Sequence, residues 1–175
     1  MPGRCHLVLL LTIALAGCGG AEPPPADVRV ENLTLGVAIA ALPDGFEVEG
    51  AEGETIELVA PGANGEGRAV ISAGPVESSG INLVEQTRER RAWFESTPGA
   101  TYHGNRELGT PIGTAYTARG TYPTPDGDLE ETWVYAIHPA ENRLLTVQFT
   151  YPTGETEARI GQLMALLGEI EAAGF

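Results

Sequence analysis

The sequence contains no lysine. All ten of its basic residues are arginine, and they stand against 24 acidic residues, for a formal net charge of -14 at neutral pH. That balance excludes nucleic acid as a partner, because binding a phosphate backbone requires net positive charge. Two cysteines, two methionines and three histidines leave little material for a metal or redox centre, and no cofactor is expected. There is no long hydrophobic run: Leu7 to Ala16 is apolar apart from Thr12, about 15 Å of helix and half of a bilayer core. Gly-x-Ser-x-Gly, His-Glu-x-x-His and Walker-type loops are all missing. The 23 glycines and 13 prolines follow no fixed period, which excludes a collagen-like chain. What remains, 42% hydrophobic and 19% charged over 175 residues, is a globular composition with room for one domain and a leader.

The short apolar run reads as the h-region of a secretion signal, with Arg4 as its positive n-region. It ends in Leu15-Ala16-Gly17-Cys18, which resembles the lipobox of bacterial lipoproteins at all four positions. The resemblance implies a diacylglyceryl group on the sulfur of Cys18, cleavage of residues 1–17, and a further acyl (palmitate-type) chain on the freed amino group. One acyl chain holds a protein marginally and two or more hold it firmly, at about 0.8 kcal/mol per buried CH₂. An ordinary signal peptide with Cys18 near the cut by chance is the alternative. Cys5 is lost with the leader, so Cys18 is the only cysteine of the mature chain; an intramolecular disulfide and thiol chemistry are both excluded. Gly19 rather than Asp follows the cysteine. By resemblance to the sorting rules of double-membrane bacteria, this implies the outer membrane, facing the periplasm.

Residues 18–27 continue Cys-Gly-Gly-Ala-Glu-Pro-Pro-Pro-Ala-Asp and form a tether. Its prolines favour an extended polyproline II run, and the nine residues after Cys18 span at most about 30 Å. Without the leader the net charge is -15. Anionic headgroups repel such a domain within a Debye length of about 8 Å, so the lipid, not a basic patch, would hold it at the membrane.

Residues 28–175 are expected to be one α+β domain with a central antiparallel sheet of about six to eight strands flanked by two main helices. Leu33, Leu35, Val37 and Ile39 alternate with Thr34, Gly36, Ala38 and Ala40 as a half-buried strand, and Val28 to Val30 add a short edge strand. Pro43-Asp44-Gly45 is a turn. Strands follow from Phe46, around Ile56 and Leu58, and from Ala69 to Ala73, with a Gly-rich turn at Pro61 to Gly67. A helix is predicted over Ile81 to Ser96, capped around Ser78-Ser79-Gly80, with Leu83, Thr87, Arg90 and Phe94 on one face. Four strands come next, at Thr101 to Gly109, Ile112 to Tyr122, Glu131 to His138 and Arg143 to Tyr151, with Ile112, Tyr116, Ala118 and Tyr122 sharing one side of the second. The links at Thr110-Pro111, Pro123 to Asp128 and Pro139 to Asn142 are short enough to join only antiparallel neighbours. A last helix runs from Thr153 and Gly154 to about Ala172, with Ile160, Leu163, Met164, Leu167 and Ile170 as its apolar stripe.

The Leu42-Pro43-Asp44-Gly45-Phe46 turn, the helix after the first strands, the meander through Trp133 and Phe149 and the terminal amphipathic helix together resemble PsbP-like domains and the DcrB-like periplasmic lipoproteins. The resemblance covers Leu33 to Phe175. It implies a sheet flanked by helices and a role in binding, assembly or accessory work; it carries no catalytic motif onto this sequence.

Candidate chemistry is sparse. His103 and His138 are 35 positions apart, and His138 reads as a surface residue where a strand enters a turn. Asp126, Asp128, Glu130 and Glu131 form the densest acidic cluster, open to a Ca²⁺-binding reading, although Pro125-Asp126-Gly127 is a turn signal in its own right. Arg88, Arg90 and Arg91 are the only basic cluster. Glu85–Arg88 and Arg91–Glu95 read as helix-surface pairs, or, with Trp93, as a contact for an acidic partner. The sequence therefore points to a non-enzymatic envelope lipoprotein, lipidated at Cys18, that does binding, assembly or accessory work with an envelope protein partner, with Arg88, Arg91 and Trp93 as the candidate contact. A small-molecule or lipid carrier with an apolar pocket between sheet and helix, and a hydrolase, are the alternatives.

Overall fold

A computed structural model describes residues 28–173. The leader (1–17), Cys18 and the tether up to residue 27 lie outside the described residues.

Alternation of apolar and polar residues dictates the main sheet. Its seven strands are β3 (Glu47–Gly50), β4 (Thr55–Ala60), β5 (Gly67–Val76), β6 (Thr101–Thr110), β7 (Gly113–Thr124), β8 (Gly127–Ile137) and β9 (Arg143–Pro152). They lie in the order β3-β4-β5-β9-β8-β7-β6, and every neighbouring pair is antiparallel. The helix α1 (Leu83–Ser96) carries the chain from β5, in the middle of the sheet, to β6 at its edge. The meander β6 to β9 then returns to pair Ala69 with Phe149 and Ile71 with Val147.

The pleat divides each strand between two layers. On one face Ile56, Leu58, Ala69, Ile71, Val134, Ala136, Leu145, Val147 and Phe149 are buried beneath Leu163, Leu166 and Leu167 of α2 (Thr156–Glu169). On the other face α1 lies across β6, β7 and β8. Asn82 caps α1: its side chain accepts from the Glu85 N–H at 3.1 Å. Phe94 is fully buried, a burial that stabilises by about 1.5–3 kcal/mol. Its ring lies against Gly120, where a Cβ would come within 2.5 Å of it.

Several expectations are corrected. Leu33 to Ala40 is not one strand. A turn separates β1 (Val30–Asn32) from β2 (Val37–Ile39), and Leu33 is 73% exposed. Asn32 Oδ1 accepts from Leu35 N–H at 2.8 Å, and Gly36 adopts φ +73°, a conformation that favours glycine. The edge strand therefore falls at Val30–Asn32 rather than Val28 to Val30. The cap of α1 is Asn82, not Ser78-Ser79-Gly80. The link expected over Pro123 to Asp128 shrinks to Pro125-Asp126, because ladder pairing extends to Thr124 and Gly127. Ile112 packs against the α2-side core instead of sharing the side of Tyr116. The last helix ends at Glu169. Ile170–Ala172 form β10, which pairs antiparallel with β2 and completes a three-stranded sheet in the order β1-β2-β10. A free β2 edge offers those residues backbone partners that one more helical turn would not.

Candidate functional site

The apolar stripe of α2 is shared between two tasks. Leu163 and Leu167 enter the core with Leu166, while Ile160 is half-buried and Met164 is 37% exposed. Ile160 and Met164 instead form one wall of a cleft of about 190 Å³ between α2 and the β6–β8 edge of the sheet. Leu108 of β6 adds to the apolar lining. The sheet also lines the cleft with His103 and Arg106 from β6 and Arg119 from β7. A register shift between Tyr102 and Gly104 marks a β-bulge at His103. Thr132 of β8 lies at the cleft; it is 5% exposed, with its hydroxyl beside that of Tyr151. None of the residues lining the cleft is acidic.

Elsewhere the arginines are engaged. Of the nine among the described residues, eight pair with a carboxylate and Arg106 does not. Arg119 Nε is 3.5 Å from the buried Glu130 carboxylate, which also accepts from Tyr151 Oη at 2.9 Å and Thr156 Oγ1 at 2.7 Å. Burial, and then Glu130, raise the Tyr151 pKa above its ordinary value. On the α1 face, Glu131 accepts from Gln148 and lies 3.1 Å from Arg90 Nη2. The Arg90 guanidinium lies 3.9 Å from the Trp133 ring centroid and 4.5 Å from that of Trp93. Such stacking, shielded from water, contributes about 2 kcal/mol. Burial next to this cluster pushes Tyr135 up to about 12, with Arg90 pulling weakly the other way.

This arrangement settles where the sequence candidates lie. Pleating sends Glu130 to the α2 face and Glu131 to the α1 face, each next to its own arginine, while Asp126 and Asp128 stay exposed near the hairpin tip. The acidic cluster does not converge on one point. His138 is buried, not on the surface: Nε2 lies 2.9 Å from Leu35 O, and Nδ1 accepts from Ala140 N–H at 3.2 Å. It is a staple that holds the β1–β2 turn to the end of β8. Arg88 and Arg91 are exposed, pair with Glu85 and Glu95, and share a hollow of about 150 Å³ with Tyr102 beside β6. Trp93 lies on the other flank of α1, edge-on to Tyr122, so the structure brings the two arginines together without the tryptophan. The Pro61 to Gly67 segment is the hairpin turn expected of it.

Two groups escaped the sequence reading. Arg159 is 1% exposed and clamps the β4–β5 turn, donating to Ala60 O at 2.7 Å and Gly65 O at 2.6 Å with Glu155 alongside at 3.0 Å. Arg106 carries no local signal other than being an arginine on an edge strand.

No protein-family model matches the sequence, and no curated protein matches it. Solved structures do. The fold is similar to LpqN, described as involved in cell envelope biogenesis of Mycobacterium tuberculosis, with TM-score 0.53, 12% identity, and 85% of this chain and 86% of that one covered. It is also similar to cyanobacterial PsbP (CyanoP) from Synechocystis, with TM-score 0.56, 11% identity and 90% and 98% coverage. The Saccharomyces cerevisiae Ran-binding protein Mog1p matches with TM-score 0.54, 11% identity and 83% and 95% coverage. The fold is therefore α+β and PsbP-like, as its element order implied.

Proposed function

We propose that this chain is a non-enzymatic, lipid-anchored protein of the bacterial cell envelope that binds or assists an envelope partner at the membrane surface. The observation that carries the reading is Leu15-Ala16-Gly17-Cys18 standing ten residues before a domain that begins at Val28. The likeness to LpqN supports an envelope setting. The likeness to Mog1p, a Ran-binding protein, supports a binding role for the fold. The fate of the reactive groups supports the absence of catalysis. His138 has both ring nitrogens in structural contacts, and Glu130 and Glu131 are held in buried networks. The domains are a leader at 1–17, a lipidated cysteine and tether at 18–27, and the folded unit from 28; with Gly19 after the cysteine, the anchor is in the outer membrane facing the periplasm. Arg88 and Arg91, exposed on one flank of α1 beside Tyr102, are the contact for an acidic partner.

The test is Cys18→Ser, followed by fractionation and incorporation of labelled palmitate. Wild type is expected to carry label and pellet with membranes, and the variant to lose both. A variant that stays membrane-bound, or an unlabelled wild type, refutes the anchor. Crosslinking in cells checks the partner: Arg88→Glu with Arg91→Glu should remove an adduct that wild type forms, and an unchanged adduct pattern rejects that contact.

A further inference from the structure

We propose that the cleft between α2 and the β6–β8 edge binds a single-chain amphiphile with an anionic head, the head held by Arg106, Arg119 and His103 and the first part of the chain lying on Leu108, Ile160 and Met164. This goes beyond the protein contact at Arg88 and Arg91, which lies on the other face of the sheet, and it is independent of the lipid on Cys18.

Two observations converge on it. In a chain of net charge -14, eight of nine described arginines are neutralised by carboxylates; the exception lines the one cleft wall that also holds a second arginine and a histidine. An arginine fork without a carboxylate partner, on a wall without acids, is complementary to a carboxylate or phosphate. Arg119 is only partly satisfied, since Glu130 approaches its Nε at 3.5 Å. The lining from α2 is apolar: the α2 stripe presents more hydrophobic surface than the core consumes, and Met164 is left 37% exposed there.

The size limits the occupant. A cavity of about 150 Å³ accommodates benzene, so 190 Å³ holds about eight heavy atoms on that scale. That is a carboxylate with a short alkyl chain, or the head-proximal part of a longer one emerging through the open mouth.

The experiment uses the chain bearing Cys18→Ser, so that its own acyl chains cannot compete, and calorimetric titration with octanoate, octyl phosphate, octanol and acetate below any micelle concentration. Saturable binding of octanoate or octyl phosphate is expected, and their order separates a fatty-acid head from a phospholipid-type phosphate. Octanol and acetate should each bind at least about tenfold more weakly, the factor for one lost charge-assisted hydrogen bond or a few lost methylenes. Arg106→Gln should weaken octanoate by about tenfold or more. Met164→Gln should weaken it as well; both positions are exposed enough for the fold to survive. The proposal is overturned by no binding of either anion, by octanol matching octanoate, by acetate matching octanoate, or by octanoate affinity unchanged in Arg106→Gln. Loss of membrane anchoring by Cys18→Ser bears only on the lipoprotein reading, so the two can fail separately.

Discussion

The clamp formed by Arg159 makes a sharp prediction about Gly62. A Cβ built at Gly62 would come within 1.7 Å of Arg159 Nη2 and 2.5 Å of both Arg159 Cζ and Glu155 Oε2. The guanidinium cannot easily yield, because it donates to Ala60 O, Gly65 O and Gln162 Oε1 and is 1% exposed. Gly62 is not among the positive-φ glycines, so the backbone itself accepts alanine and the whole penalty comes from the clash. Overpacking costs about 1–3 kcal/mol, and losing one bond from a charged donor costs about 1.5–3 kcal/mol, so Gly62→Ala should cost about 3–5 kcal/mol. Arg159→Ala alone strands two carbonyls and the Glu155 carboxylate, also about 3–5 kcal/mol. Independent sites would add. Here the double variant should cost no more than Arg159→Ala, because the atom struck by the new methyl is gone and Glu155 is released. The coupling is thus about 3–5 kcal/mol, readable by urea unfolding followed through Trp93 and Trp133 fluorescence. A double variant whose loss equals the sum of the singles to within about 0.5 kcal/mol would refute the clamp.

Two further outcomes are expected. Tyr135 and Tyr151 both have folded pKa values above 10, so between the unfolded and folded values the native state holds protons that the unfolded state has lost. Stability should be fully present below pH 10 and fall as pH rises towards 12, by about 2–3 kcal/mol for Tyr135; denaturation midpoints across that range, with Tyr135→Phe flattening the slope, provide the check, and a pH-independent midpoint contradicts it. His138→Ala removes the contacts to Leu35 O and Ala140 N–H and should cost about 2–3 kcal/mol. Hydrogen exchange should quicken first in the turn between β1 and β2, and uniform quickening would argue against a local staple.

The architecture was legible because the meander strands carry strict alternation and are joined by short polar turns, so Leu145, Val147, Phe149 and Tyr151 could be placed on one face from spacing alone. The failures occur where tertiary partners outweigh local pattern. Ile170 continues the period of α2, and only the open edge of β2 converts Ile170–Ala172 into a strand. Leu33 to Ile39 alternates well, yet Asn32 and Gly36 bracket a turn whose hydrogen bonds end the strand. Acidic residues inside β8 were read as one cluster because linear proximity hides the pleat; Glu130 and Glu131 are neighbours in sequence and lie on opposite faces of the sheet. The cleft was half legible. Its apolar wall belongs to the stripe on α2, but its cationic wall depends on which arginines find carboxylates elsewhere, a property of the whole fold.

That last point connects the absence of lysine with the cleft. Arg159 reaches two separate carbonyls with the two arms of one planar fork, and Arg90 lies over the rings of both Trp93 and Trp133 while its Nη2 meets Glu131. Arg143 donates Nε to Gly74 O at 2.8 Å and Nη1 to Glu141 at 3.0 Å. An ammonium group offers neither a rigid fork nor a face that stacks, so lysine could not replace arginine at these positions without losing a partner. At these three positions the chain uses arginine as a geometric connector between separate partners. Arg106 has the same side chain and no carboxylate to engage among the described residues, and it faces a cleft wall lined by surplus apolar surface. The other eight described arginines each have a carboxylate within 4.0 Å, and Arg106 is left for an anion that the chain does not supply.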